Sequence, residues 1–176
     1  SSSAPNSSPP TTVTAIRITR TPGTLGRGSR VSARDIVSQR SFLDGKHGYA
    51  LVTVGDADYP ARTSNGGKTW RTDGPAVHLH AAQAPLAVID AGAANRYTFF
   101  ACCGAQVVDA TGDGGMHWWR AFLGDVVLAV TSRPGGELIA VAQTATSANG
   151  SHAATWVYVS KDGGHHWHLD RQEGAF

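Results

Sequence analysis

Two close histidine pairs, His78-Leu79-His80 and His166-Trp167-His168, stand out among the eight histidines of this 176-residue chain. On an extended strand alternate side chains share a face, so each pair sets two imidazoles side by side, the beginning of a weak Zn²⁺ or Cu²⁺ site. Neither pair completes a ligand set, and surface variation in an exposed turn also explains His165 and His166. Cys102 and Cys103 are the only cysteines, and because they are adjacent they rule out a long-range disulfide framework. They can be two small buried hydrophobes, a vicinal disulfide in an oxidising compartment, or thiol metal ligands. Asp113 and Asp162 have the chemistry of general acids or Ca²⁺ ligands, but a structural role suffices to explain them. No Ser-His-Asp order, phosphate-cradling glycine loop, or interleaved basic and aromatic tract is present. The sequence therefore assigns no catalytic residue and no cofactor.

The elements around these residues are set by a pattern that occurs three times. Thr63-Ser64-Asn65-Gly66-Gly67-Lys68-Thr69-Trp70 returns as Thr111-Gly112-Asp113-Gly114-Gly115-Met116-His117-Trp118 and as Ser160-Lys161-Asp162-Gly163-Gly164-His165-His166-Trp167. The frame is a hydroxyl residue, a free position, Asp or Asn, Gly-Gly, two free positions and Trp. Asp or Asn accepts hydrogen bonds from nearby backbone N–H groups, and the glycines take positive φ at little steric cost. Thr63, Thr111 or Ser160 can support the turn, and Trp70, Trp118 or Trp167 can bury an apolar face over it at the start of the next strand. Each copy therefore reads as a hairpin loop closed by its own side chains. A period near fifty residues means structural repeats, with propeller blades the expected form.

The three segments resemble the Asp-box, or bacterial neuraminidase repeat, of sialidases, sortilin-type receptors, photosystem II assembly factors and many exported bacterial propellers. The resemblance covers roughly residues 35 to 172. In that family the box joins the third and fourth strands of a blade, and Phe42-Leu43-Asp44-Gly45-Lys46-His47-Gly48-Tyr49-Ala50 is similar to the link between the first two. Asn65 departs from the family's Asp but keeps the acceptor oxygen. The resemblance implies an all-β fold of three four-stranded propeller-type repeats, at about 35–74, 85–122 and 125–172, as a partial or oligomer-completed propeller. The expected strands are 35–42, 48–54, 58–64 and 69–72, then 85–90, 96–102, 105–111 and 116–122, then 125–132, 137–143, 154–160 and 165–170. No run sustains a 3.6-residue period, so almost no helix is expected.

Outside the repeats, residues 13–19 read as an additional N-terminal strand, and 21–34 as an irregular connection without a motif. Residues 1–12, nearly all Ser, Pro, Thr, Ala and Asn, read as a flexible tether. Its abrupt Ser-Ser-Ser start suggests that a signal peptide, lipoprotein anchor or membrane helix was removed upstream, or merely a cloning boundary. With the exported habit of the resembling family, this points to an extracytoplasmic location, with anchoring through the tether as an option. Twelve Arg and three Lys are scattered among thirteen acids, for a net charge of +2, which does not suggest a nucleic-acid partner. No apolar run is long enough to span a bilayer.

The resemblance to sialidases also raises a glycoside hydrolase reading, with an arginine triad, a Tyr activated by Glu and an acid/base Asp. Glu137 and Glu173 are the only glutamates, and Arg17-Ile18-Thr19 lacks the proline of the family's Arg-Ile-Pro motif. The boxes lie on the blade periphery in that family, so they speak to fold and not to catalysis. The reading favoured is an exported non-catalytic binding or assembly scaffold for a protein or glycan. A sialidase-type hydrolase and a weak metal-binding module are the alternatives. Three blades are too few for a ring of ~4 to 8. Three outcomes are open: a longer native chain, a ring completed by a second copy, or residues 13–34 folding back to seal the arc, with assembly the favoured expectation.

Overall fold

The computed structural model describes residues 9–79, 86–93, 96–101, 106–124, 126–133, 137–143 and 154–175. Among the described residues fifteen strands form three antiparallel sheets of five, and helix is limited to a 3-10 turn at Ala33–Asp35. The N-terminal strands are β1 (Thr12–Thr14), β2 (Ile16–Arg17) and β3 (Arg30–Val31). The first sheet continues with β4 (Ser41–Phe42), β5 (Gly48–Val54), β6 (Ala57–Thr63) and β7 (Trp70–Thr72). The second holds β8 (Leu86–Ala93), β9 (Arg96–Ala101), β10 (Val107–Thr111) and β11 (Trp119–Phe122). The third holds β12 (Val126–Arg133), β13 (Glu137–Gln143), β14 (Ala154–Ser160) and β15 (His166–Ala175). Each repeat thus makes a four-strand meander, and each recurrent turn joins its third strand to its fourth.

The fifth strand of every sheet comes from the N-terminus. β1 pairs with β15, β2 with β11 and β3 with β7, all antiparallel. The N-terminal segment therefore runs as a strap across the three last strands, visiting the third sheet first and the first sheet last. The strand expected at 13–19 is divided between two sheets, because the chain steps from one to the next at Ala15. Ala15 is buried, and its N–H donates to His165 O at 2.8 Å. The strap begins within the expected tether: Leu169 N–H donates to Thr11 O at 2.8 Å and Tyr158 Oη to Pro10 O at 2.9 Å. Covering strand edges in this way satisfies backbone groups that would otherwise template aggregation.

The segment expected to be an irregular connection also packs. Leu25 and Ile36 lie against the core formed by Val31, Ala50, Val52, Tyr59, Ala61, Trp70 and Ala76 of the first sheet and its exit. Gly23 approaches the Tyr59 hydroxyl and Ala76 so closely that no side chain would fit. Phe42 stands edge-on to Trp70 with ring centroids 6.2 Å apart. Residues 23–42 thus close one face of the first sheet with the chain's own apolar side chains. The first strand of this repeat, expected at 35–42, is correspondingly short. Ser38 Oγ accepts the Leu51 N–H at 2.8 Å, so a side chain replaces part of the ladder.

The second and third sheets share one apolar core. Val108, Ala110, Ala121 and Leu123 meet Val127, Leu138, Ala140, Ala142, Tyr158 and Trp167 there, and Ala15 of the strap joins them. The junction of the first and second sheets is more polar. Asp109, fully buried, takes a two-pronged ion pair from Arg120 at 2.7 and 3.0 Å, and Arg120 also donates to His78 O at 3.2 Å. Asp58 accepts from Thr53 Oγ1 at 2.6 Å and from Leu79 N–H at 3.0 Å. Paired buried charges of this kind hold geometry more than they add stability.

The close approach of the third turn to the second sheet gives a test. A methyl at Gly164, where φ is +94°, would stand 2.5 Å from Ala110 Cβ, whereas one at Gly112 would meet nothing within 4 Å. Gly164→Ala should lower stability by about 1–3 kcal/mol through overpacking and backbone strain, and Gly112→Ala by much less. Paired urea unfolding curves check this.

Candidate functional site

The recurrent turns carry most residues that could do chemistry, and in all three the hydroxyl is the hub. Thr63 Oγ1 donates to Asn65 Oδ1 at 2.9 Å and accepts Gly67 N–H at 3.0 Å. Thr111 Oγ1 donates to Asp113 Oδ1 at 2.8 Å and accepts Gly115 N–H at 2.9 Å. Ser160 Oγ donates to Asp162 Oδ1 at 2.9 Å and accepts Gly164 N–H at 2.9 Å. The glycine pairs all have positive φ, from 73° to 94°, which a β-carbon would strain. Trp70, Trp118 and Trp167 are almost wholly buried, and Trp167 Nε1 donates to Gly164 O at 3.2 Å.

The last free position of the frame turns out not to be free. Thr69, His117 and His166, each just before the tryptophan, donate backbone N–H to the Asn65, Asp113 and Asp162 side chains at 3.0, 3.0 and 2.9 Å. Their side chains return to the same group. Asn65 Nδ2 donates to Thr69 Oγ1 at 2.8 Å, while the Nδ1 atoms of His117 and His166 lie 2.6 and 2.5 Å from the second oxygens of Asp113 and Asp162. Where Asp becomes Asn, His becomes Thr, a coupling visible in the sequence once the four-residue spacing is considered. The turn between β4 and β5 repeats the motif on a smaller scale. Asp44 accepts N–H bonds from Lys46 and His47 at 2.7 and 2.6 Å, with His47 Nδ1 at 2.9 Å. The His47 amide and ring and the Lys46 amide bring the Asp44 carboxyl down to about 2.

Burial pushes the Asp113 and Asp162 carboxyls up, but the amides and rings of His117 and His166, with the hydroxyls of Thr111 and Ser160, outweigh it and hold both below the ordinary value. Asp73 goes the other way. Burial raises it even though Arg62 and Arg27 stand 3.4 and 3.5 Å from the same oxygen.

Among the described residues the candidate metal pairs do not assemble into a larger set. His166 and His168 are both exposed on β15, but His166 Nδ1 is engaged by Asp162. His78 is exposed, and His80, like Cys102 and Cys103, lies outside the described residues. Among the described residues no three His, Cys, Asp or Glu side chains stand close enough to hold a metal ion. Glu137 pairs with Arg133 at 3.5 Å and Glu173 with Arg171 at 2.9 Å. The hydroxyls of Tyr59 and Tyr158 serve the Leu25 N–H and the Pro10 carbonyl.

A groove of 360 Å³ opens where the strap crosses from the second sheet to the first, lined by Arg17, Ile18, Arg20, Val77, Met116 and Trp118 among others. Arg20 Nη2 donates to Met116 O at 3.4 Å. No sequence motif announces this groove, since it brings residues 17–20 beside residues 75–77 and 116–118 only after the strap has paired.

Fold and turns together define an all-β protein of three successive antiparallel sheets, each closed at its outer hairpin by a hydroxyl-centred turn. Its likeness to a solved structure described as YCF48 bound to D1 peptide has a TM-score of 0.44 at 18% identity, covering 89% of this chain and 42% of that one. This chain therefore spans less than half the length of that protein. No family model matches the chain, and no curated protein matches it.

Two tests follow from the turn geometry. Trp118→Ala should cost roughly 3–5 kcal/mol, the range for a buried aromatic, and Met116→Ala little, so comparable unfolding midpoints would contradict the role given to Trp118. A carboxyl held below its unfolded value contributes stability that is complete above the unfolded pKa of ~4 and is lost as pH falls toward the folded one. Asp113→Asn/Asp162→Asn keeps an acceptor oxygen in each turn, as Asn65 does, and should reduce the loss of stability as pH falls below about 4, read from urea midpoints.

Proposed function

We propose that this chain is an Asp-box, propeller-type binding or assembly scaffold, working outside the cytoplasm without catalysis and recognising a protein or glycan. One observation carries the reading: the side chains that could do chemistry are consumed in holding the fold. Asp113 and Asp162 are each satisfied by a hydroxyl, backbone amides and a histidine, and Asp109 by Arg120. The open surface of the groove, by contrast, offers apolar side chains beside two guanidinium groups. That combination suits recognition by burial, with charge selecting an acidic partner. Anchoring through the N-terminal tether and self-association belong to the same proposal. Light scattering at low micromolar concentration reads the latter, and a mass of one chain would remove it.

The rival reading is a sialidase-type glycoside hydrolase, motivated by the arginine-rich composition and the resemblance of the boxes. Purified protein is expected to release no fluorophore from sialosides or other glycosides. Release abolished by Glu137→Gln or Glu173→Gln would replace the scaffold reading. The positive test is fluorescence polarisation against acidic peptides that carry aliphatic side chains. Arg17→Glu/Arg20→Glu should weaken binding by about tenfold or more, equivalent to about 1.4 kcal/mol, and equal binding by wild type and variant would exclude the groove as the site.

A further inference from the structure

The residue before each turn's hydroxyl, the residue after each tryptophan and the strap residue opposite stand directly side by side in all three sheets. In the second sheet this row is Ala110, Trp119 and Arg17, and in the third it is Val159, His168 and Thr12. In the first sheet it is Arg62, Arg71 and Arg30. Directly opposed residues have Cβ atoms ~5 Å apart, and like charges so placed repel. The repulsion is poorly offset by the surroundings. Arg62 shares the carboxylate of Asp73 with Arg27, Arg71 donates to Gly28 O at 3.0 Å, and Arg30 is exposed. The nearest turn is also the one in which Asn65 replaces the aspartate of the other two, so the sheet with three aligned arginines lacks that negative charge.

A hollow of 130 Å³ lies in this row, lined by Arg62, Arg71, Ser64 and Thr69. Thr69 Oγ1 accepts from Asn65 Nδ2, which leaves its hydroxyl hydrogen to point elsewhere. Two guanidinium groups and two hydroxyls around a small open hollow can supply the N–H and O–H donors that tetrahedral oxyanions accept, with the guanidinium nitrogens not taken by Asp73 or Gly28 O turned to that use.

We propose that this hollow is an oxyanion site that takes a sulfate or phosphate group and thereby offsets the charge of the arginine row. The site is separate from the groove and does not depend on the scaffold reading. An anion here bridges β6 and β7, the third and fourth strands of the first sheet.

The test is thermal unfolding and titration calorimetry of the whole chain with inorganic phosphate, inorganic sulfate, phenyl phosphate and phenyl sulfate. Chloride and acetate at matched ionic strength serve as controls. Saturable binding is expected, with Tm raised by about 4 °C or more at saturation, and the phenyl esters distinguish an esterified group from a free ion. Arg71→Gln and, separately, Ser64→Ala should each weaken binding several-fold. Arg71→Gln should unfold no earlier than wild type in anion-free, low-salt buffer, because a repulsive neighbour is gone. Arg17→Glu/Arg20→Glu in the groove should leave the oxyanion response unchanged. Equal effects of chloride or acetate, or an undiminished response in Arg71→Gln, would overturn the proposal.

Discussion

The architecture depends on the hydroxyl hydrogen bond at the head of each recurrent turn. Thr63, Thr111 and Ser160 are buried, and each gives its hydrogen to an Asn or Asp oxygen while accepting the N–H of the second glycine. A buried hydroxyl without these partners would carry a substantial desolvation penalty, so the loop has little freedom to open. With the loop shut, the tryptophan that follows lands in the core and the fourth strand starts in register. The same bond thus fixes local turn geometry and the packing of the largest side chain in the repeat.

Successive sheets are joined by two different physical means. Between the second and third, small side chains allow close approach, and a glycine of the third turn rests on Ala110. Between the first and second, Arg120, held by Asp109 within the second sheet, donates to His78 O at the exit of the first, and Gly74 packs against Gly115 O. Close approach of a glycine serves both junctions, and a directional bond from a buried ion pair is added between the first and second sheets. The strap then crosses both, so the fourth strand of every sheet is held by a segment far away in sequence.

That strap also bears on function. It makes one wall of the apolar and arginine-bearing groove, and it contributes Arg30 to the arginine row of the first sheet. Both features therefore depend on the docking of the N-terminal segment. The histidines next to the turn carboxylates illustrate the reverse economy. A metal-binding reading of His166 and His168 is reasonable from spacing alone, yet His166 already has a carboxylate against its ring.

The three turns, the strands around them and the near-absence of helix were legible in the sequence because each depends on interactions within about ten residues. Gly-Gly, an Asx acceptor, a hydroxyl and a tryptophan at fixed spacing leave the backbone few alternatives. The third repeat shows how far this reaches, with strands at 126–133, 137–143, 154–160 and 166–175 against expectations of 125–132, 137–143, 154–160 and 165–170. The pairing of Asp with His and of Asn with Thr four residues on was also present in the residues, but it takes the turn geometry to see that the fourth position points back. Only the tertiary structure decided the rest. Residues 10–42 have weak local preferences, so their conformation is chosen by what they cover: three exposed strand edges and one apolar sheet face. The groove and the arginine row arise where this segment meets distant strands, and a contact between residues 17 and 119 or 30 and 71 has no local signal, because its free energy is gained only after the sheets exist.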